Sequence, residues 1–390
     1  MAKKIIVHAG FHKTGTTAIQ SSFFAATKAL ESAGITYPHV GGKAHHKAVY
    51  SFMGKTWGWE DRGGITATDK KWRQFLKQIK KAKSTALISS EFLCELTEEQ
   101  IIKFKRDLGN SDVTIYFTLR PLLKIIPSAY QQHLKIGIKS SYETWLHSIL
   151  DEPGVSTITP SFWVRHMHSE VLAKWIKHFG KENVVLLVVD EKKPEFMYEQ
   201  FNLLLGLKPG FLTPQTDQDS NRSLTLDEIT LLNTINKKFS KKRSWHDYET
   251  FIRNGSIKYL TNKVTPPIDA VRLLTPQWAV DIAKRVSSAS VAEIKRLGIK
   301  IIGEIDSFES AEIPVGENPE VTMIPVELAA KALVAMDLRV VEKLPTRYVA
   351  RILWKMTKRD LKRLLRNQFK IFSSPKLHLQ SFSNFLSAWP

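Results

Sequence analysis

Residues 3–20 read KKIIVHAGFHKTGTTAIQ, and the fold turns on this stretch. Ile5, Ile6 and Val7 make a short unbroken apolar run, the pattern of a strand covered on both faces. Gly10 and Gly15 interrupt it, and a helix is expected from about Thr16. A strand feeding a glycine turn and a helix start aims several backbone N–H groups and the positive end of the helix dipole at one point. That point is an anion site, and phosphate is its usual occupant. Lys13 adds a full charge beside it, and Thr14, Thr16 and Thr17 add hydroxyls. The two glycines have the separation of a Walker A loop, G-x-x-x-x-G-K-[ST], in which lysine follows the second glycine. Here Lys13 precedes Gly15 and Thr16 takes the lysine position, so the cation is placed differently from that of a kinase or ATPase.

Working outward, further apolar runs lie at residues 85–90 (TALISS), ending at Glu91, at 112–119 (DVTIYFTL), ending at Arg120, and at 183–189 (NVVLLVV). Helices are expected over 18–33, stopping at Gly34, over 69–83, and after Thr97, where Gln100 completes a capping box. Others are expected over 141–151, 164–179, 195–205, 225–239, 245–253 and 276–297. Strands alternating with helices give an α/β class, a P-loop-like parallel sheet flanked by helices, with a helical C-terminal appendage. Ligands of such sheets bind beyond the carboxyl ends of the strands. The loop after Val7, Glu91 and Arg120 all fall there. Residues 51–68, with Trp57, Trp59, Gly63 and Gly64, show no period; they read either as a lid touching an acceptor or as a packed connector.

GFHKTGTT at residues 10–17 resembles the 5′-phosphosulfate loop of sulfotransferases that use 3′-phosphoadenosine-5′-phosphosulfate (PAPS). That family carries a P-K-[ST]-G-T-T loop; this chain has His12 for the proline and is similar to bacterial members with an N-terminal HKTGTT. A second segment, YFTLRPLLKIIPSAYQQ at 116–132, fits the family pattern of a strand-end arginine and a serine eight residues later that hold the 3′-phosphate. Arg120 and Ser128 have that spacing, and Pro121 keeps Arg120 extended. Pro127 predicts a late start for the helix carrying Ser128. The resemblance covers residues 3 to about 240.

What the resemblance implies is transfer of a sulfuryl group from PAPS to an acceptor hydroxyl, on a sugar or glycan as in bacterial relatives, in line and without a metal, releasing 3′,5′-ADP. It implies donor-binding roles for His12, Lys13, Thr14, Gly15, Thr16, Thr17, Arg120 and Ser128, and for Arg222 in an N-R-S-L segment at 221–224. Lys13 then faces the leaving bridging oxygen. Glu91 stands at the strand end where cytosolic members carry a catalytic histidine. As the base it competes with His46 and His45; the alternative makes Glu91 a partner of Lys13 or Arg120, and the histidines surface residues.

Composition bounds the rest. The chain has 390 residues, 43% hydrophobic, with a single cysteine, Cys94, which excludes an internal disulfide framework and a cysteine zinc cluster. No window reaches a membrane span, and a strand starting near Met1 leaves no room for a signal peptide or anchor, so a cytoplasmic protein is expected. The net charge of +19 favours anionic ligands, and eleven Lys and Arg stand against two acids between Arg339 and Lys370. The expected division is a catalytic domain at 1–310, a linker at 311–322 and a basic helical extension at 323–390. In that extension Val349, Ile352, Leu353, Met356, Leu364 and Leu365 form a stripe over 345–369. It packs on the core, or docks an anionic glycan or membrane surface; nucleic acid is not an expected partner. Two rival functions remain at this point: a P-loop kinase or NTPase using Glu91 or Asp190 as a Walker-B-like acid, and a non-catalytic binder of nucleic acid or anionic membranes.

Overall fold

The computed structural model describes residues 3–215, 222–308, 310–343 and 354–360. In chain order the strands are β1 (Lys4–His8), β2 (Ile35–Thr36), β3 (Thr56–Trp57), β4 (Ile65–Thr66), β5 (Thr85–Ser89), β6 (Asp112–Leu119), β7 (Val184–Val188) and β8 (Lys300–Ile302). Six of them build one sheet in the order β2-β5-β1-β6-β7-β8, every neighbouring pair parallel. The other two, β3 and β4, form an antiparallel hairpin.

The apolar run of β1 is explained by its central place. Ile5 and Val7 face one layer, with Trp72 and Phe75 of the helix Lys70–Lys81, Phe104 of Glu98–Leu108 and Trp175 of His168–Phe179. Ile6 faces the other, with Ile19 and Phe23 of the helix Thr16–Ala25 and Phe201 of Phe196–Leu204. Both faces are dry, so hydrophobicity does not alternate. From β1 the chain builds towards β5 and β2, then crosses back to add β6, β7 and β8 on the other side. The topological switch therefore lies between β1 and β6, the place beyond the strand ends where sheets of this kind bind their ligands.

A third cluster forms a helical lobe from Leu122–Leu134, Tyr142–Leu150, Leu226–Lys238, Tyr248–Ile257 and Gln277–Arg296. The late helix start expected from Pro127 is not found: the helix begins at Leu122 and runs through the proline. Leu122, Leu123, Ile125 and Ile126 are all buried around it. At about 1.5–3 kcal/mol per buried aliphatic side chain, these outweigh the ~3 kcal/mol a helical proline costs.

Other expectations shift for local reasons. The helix expected over 18–33 is two, Thr16–Ala25 and Thr27–Ser32. At the break the Thr27 hydroxyl bonds back to Phe24 O at 2.7 Å, competing with the backbone ladder. Residues 51–68 end the helix His46–Met53 and then form the β3–β4 hairpin, which packs on the lobe. Trp59 Nε1 donates to Ile136 O at 3.0 Å. Gly137 is required beneath it, since it has φ +101° and a Cβ there would lie 2.5 Å from the Trp59 ring.

Residues 311–322 do not hang free. Thr275 and residues 314–316 exchange hydrogen bonds (Thr275 N to Pro314 O and Gly316 N to Thr275 O, both 3.1 Å), and Asn318 pairs with both backbone groups of Leu274 at 2.9 and 2.8 Å. The first compact unit accordingly extends to Met336, past the expected boundary at 310. Ser256 Oγ donates to Ala332 O at 2.8 Å near its end. The second unit is Asp337–Pro390. In it, residues 354–360 are helical with Trp354 and Met356 exposed. The rest of the stripe, Val349, Ile352, Leu353, Leu364 and Leu365, lies outside the described residues. Among the described residues no helix is long and apolar enough to cross a membrane.

Candidate active site

Beyond β1 the chain stays zipped to β6. Ala9 N and Gly10 N donate to Tyr116 O at 2.9 and 3.4 Å, and Phe11 N donates to Thr118 O at 3.1 Å. Gly10 (φ +54°) is needed here because a Cβ would sit 2.8 Å from Thr16 Cγ2. The chain leaves the sheet only at His12. Thr14 Oγ1 closes the turn by donating to Phe11 O at 2.7 Å, with Thr118 Oγ1 also 2.7 Å away. Gly15 (φ +79°) then starts the helix with no side-chain cap. Among the described residues the N–H groups of 12–15 donate no hydrogen bond, and Thr16 and Thr17 open the first helical turn. The result is a concave run of open amides, the chemistry that receives phosphate oxygens. Thr16 is buried and Thr17 exposed.

Lys13 is the one non-glycine residue with positive φ among those described, at +66°. A left-handed lysine costs about 1–2 kcal/mol, so its neighbours must hold it. Arg120 Nη1 does so by donating to Lys13 O at 3.4 Å. Lys13 is half-buried; burial first, then the Arg120 charge, bring its ammonium down to about 8 despite the offsetting Glu91.

The β6 end supplies a second cationic group. Arg120 pairs through Nε with Glu191, and Lys124 Nζ lies 3.5 Å from the other Glu191 oxygen. Ser128 is four residues after Lys124 on the same helix and so shares its face. It is half-buried, and its hydroxyl makes no hydrogen bond to another described residue. Lys124 and Glu191 were not foreseen. The i,i+4 spacing from Lys124 to Ser128 was a usable signal. Asp190, the Walker-B-like acid of the rival kinase reading, instead accepts from Lys192 N at 2.8 Å.

On the other side, at the end of β5, Glu91 approaches the loop closely enough that a Cβ on Gly10 would lie 3.4 Å from its own. Gln20 Nε2 donates to Glu91 Oε2 at 2.9 Å, and His46 Nε2 stands 3.5 Å from the same oxygen. Burial works to raise the carboxyl, but His46, His12 and the Gln20 amide outweigh it and hold the pKa at about 2. His46 Nδ1 pairs with Ser90 Oγ at 2.9 Å. His45 is different. Its Nδ1 accepts from Ser89 N at 2.9 Å, which leaves Nε2 to donate to Pro38 O at 2.7 Å. Burial first lowers its pKa to about 3, so His45 is a neutral latch between two backbone segments.

Two buried groups sit beneath the loop. His8, pushed down to about 4 chiefly by burial, spans Ser89 Oγ at 2.8 Å and Thr118 Oγ1 at 3.4 Å. Glu95 gathers Arg165 Nε at 2.8 Å, Lys55 Nζ at 2.8 Å and His12 Nε2 at 3.0 Å, the last out of line for a full hydrogen bond. Against burial, these partners hold the Glu95 carboxyl well below the usual carboxylate range. Arg222, expected at the nucleotide, spends its guanidinium inside the lobe, on Glu228 at 2.8 and 2.6 Å and on the carbonyls of Leu260 and Val264. Among the described residues, no three His, Cys, Asp or Glu side chains converge as a metal-binding group.

No family model and no curated protein matches the chain. Among solved structures it is similar to the crystal structure of a sulfotransferase from Alicyclobacillus acidocaldarius, at 18% identity over 60% of this chain and 92% of that one, with a TM-score of 0.38.

Proposed function

We propose that the protein is a PAPS-dependent sulfotransferase acting on an acceptor hydroxyl of a sugar or glycan. One observation carries this reading: two anion-binding ends stand at adjacent strand termini. The open amides and Lys13 follow β1, the group of Arg120, Lys124 and Ser128 follows β6, and the Arg120–Lys13 hydrogen bond joins them. A nucleotide with anions at both its 5′ and 3′ positions matches that pair.

PAPS brings a sulfuryl group already activated on phosphate. The chain's part is to hold it, to meet the charge that grows on the leaving phosphate oxygen, and to remove the hydroxyl proton. Lys13 and the loop amides serve the first two tasks. The Glu91–His46 pair takes the proton: a carboxylate held at about 2 is a weak base by itself, and His46, 3.5 Å from it, carries the proton on.

Calorimetric titration with 3′,5′-ADP and 5′-ADP tests the donor site. The 3′-phosphate is expected to add about 1.5–3 kcal/mol, the worth of hydrogen bonds to a charged group, and Arg120→Ala to erase the difference. Equal affinity of the wild-type protein for both nucleotides sinks the reading. For the base, Glu91→Gln is expected to lower kcat about 10²–10⁴-fold with 3′,5′-ADP binding retained, and His46→Gln to lose less. Unimpaired turnover in Glu91→Gln transfers the role to His46.

A further inference from the structure

Two tryptophans belong to the β3–β4 hairpin, and the fold uses them differently. Trp59 anchors it: Ile136 O takes its Nε1, Gly137 lies beneath it, and Trp245 and Tyr248 pack around it at ring distances of 5.3 and 4.8 Å. Gly58 adds to the anchor, since a Cβ there would fall 2.4 Å from the Trp245 ring. Lys55, just before the hairpin, is tied to Glu95, which also holds His12 next to Lys13. Trp57 has no part in this anchoring. It is half-buried, and its ring meets Tyr50 and Phe92 instead, beside the end of β5.

From His46, the partner of Glu91, the rings run in an unbroken line to the lobe. His46 stands 5.0 Å from Phe92, Phe92 4.7 Å from Tyr50, and Tyr50 5.3 Å from Trp57, all edge to face. The Arg253 guanidinium continues the line, 5.3 Å from the centre of the Trp57 ring. Both ends reach solvent, with the His46 side chain 27% exposed and that of Arg253 25%. At the far end Trp57 Nε1 donates to Glu249 Oε1 at 3.0 Å, and Arg253 Nη1 donates to the same oxygen at 3.4 Å. Glu249 Oε2, Arg253 Nε and Nη2, and the Tyr50 hydroxyl are left with no hydrogen bond to another described residue. Glu249 and Arg253 stand on the π-helical segment Tyr248–Ile257, a rare form that is frequent at functional sites.

Aromatic rings ending in an open carboxylate oxygen and open guanidinium N–H groups have the chemistry of a sugar site. The C–H face of a sugar lies against the rings, and adjacent hydroxyls each give and take a hydrogen bond. The charges of Glu249 and Arg253 offset each other, and an acidic sugar would set a second carboxylate beside Glu249. We propose that Tyr50 and Trp57 form the acceptor platform, that Glu249 and Arg253 grip adjacent hydroxyls at its far end, and that the acceptor is a neutral sugar reaching Glu91 and His46. This rests on the sulfotransferase reading for the word acceptor, and the two fail separately in the following experiment.

Cellotetraose, maltotetraose and galactotetraose are titrated calorimetrically into the wild-type protein, Trp57→Ala, Trp57→Phe and Glu249→Gln, with and without 3′,5′-ADP. The wild-type protein is expected to bind at least one of them, about tenfold tighter than its C6-oxidised uronate counterpart. Trp57→Ala should weaken that binding about tenfold, Trp57→Phe should keep most of it, and Glu249→Gln should weaken it and narrow the preference for the neutral form. In each variant 3′,5′-ADP affinity should stay within twofold. Binding of none of the three by the wild-type protein overturns the proposal, even if 3′,5′-ADP still binds through Arg120. Equal losses of sugar and nucleotide affinity in Trp57→Ala also overturn it, by making Trp57 a packing residue. Should Trp57→Ala not fold, unchanged sugar affinity in the isosteric Glu249→Gln has the same force. A donor site blind to the 3′-phosphate defeats the sulfotransferase reading, while Trp57-dependent sugar binding measured without nucleotide would still stand.

Discussion

Lys13→Ala is expected to lower turnover about 10²–10³-fold at saturating donor, the loss of roughly 3–4 kcal/mol when one preorganised group is removed from a developing oxyanion. The loop's construction supports a value at the upper end. Its backbone tolerates a left-handed lysine at φ +66°, where glycine would be unstrained, so the strain is accepted in return for the ammonium. Removing the side chain leaves the backbone device, open amides included, without its charge. The pH profile gives a second reading. Burial and Arg120 place the ammonium of the free protein at about 8, so Lys13 is protonated below that pH and neutral above it. For kcat/KM, which reports the free enzyme, activity should fall as pH rises through about 8, and this limb should vanish in Lys13→Ala. Turnover within tenfold of wild type would remove Lys13 from the leaving group.

Glu95→Ala is expected to cost about 3–5 kcal/mol of stability, the usual result of deleting one member of a buried ion pair. Its carboxylate is 1% exposed and the Arg165 partner 17%, so the arginine would be left shielded and uncompensated. Lys55, 43% exposed, can turn to water and adds little. A fall in Tm of about 4–7 °C follows. Glu95→Gln keeps the shape and loses the charge, and should fall between. The sign of the acid response is fixed by the direction of the shifts. Glu95 and Glu91 both have depressed carboxyls, so their stabilisation is present above the ordinary 4.5 and is lost as pH falls below it, towards about 2 for Glu91. Thermal melts from pH 5 to 2 should therefore decline less steeply in Glu95→Gln. A Glu95→Ala protein melting within a degree of wild type would show that the hub carries no weight.

Much of the sheet is legible because its strands are covered on both faces. β1, β5, β6 and β7 appear as plain apolar runs, and their ends mark Lys13, Glu91 and Arg120. The edge strand β2 spans two residues and β8 three, too short for any period. The β3–β4 hairpin hides because its strands span two residues each, and Trp57 in β3 and Trp59 in the connection are ordered by packing on the lobe and not by alternation. In the site, local spacing reaches only so far. Glu95, Lys55, Arg165 and His12 come from four separate segments, and no motif encodes their meeting. His45 and His46 are adjacent in sequence yet part company. The helix begins at His46, sending one ring to backbone atoms of Ser89 and Pro38 and the other to Glu91. Only tertiary packing separates such neighbours.

The central position of β1 has a consequence for the chain as it is being made. Its sheet partners arrive late: His8 waits 81 residues for Ser89 and 110 for Thr118. At about 5–20 residues per second the ribosome needs roughly 5–20 s to cover that distance. Throughout that interval Ile5, Ile6 and Val7 are an unpaired apolar edge, open to other nascent chains. Arg120 waits a further 71 residues for Glu191. The loop after β1 is thus made well before the segments that complete it, and the yield of folded protein depends on how well residues 4–8 are sheltered until β5 and β6 emerge.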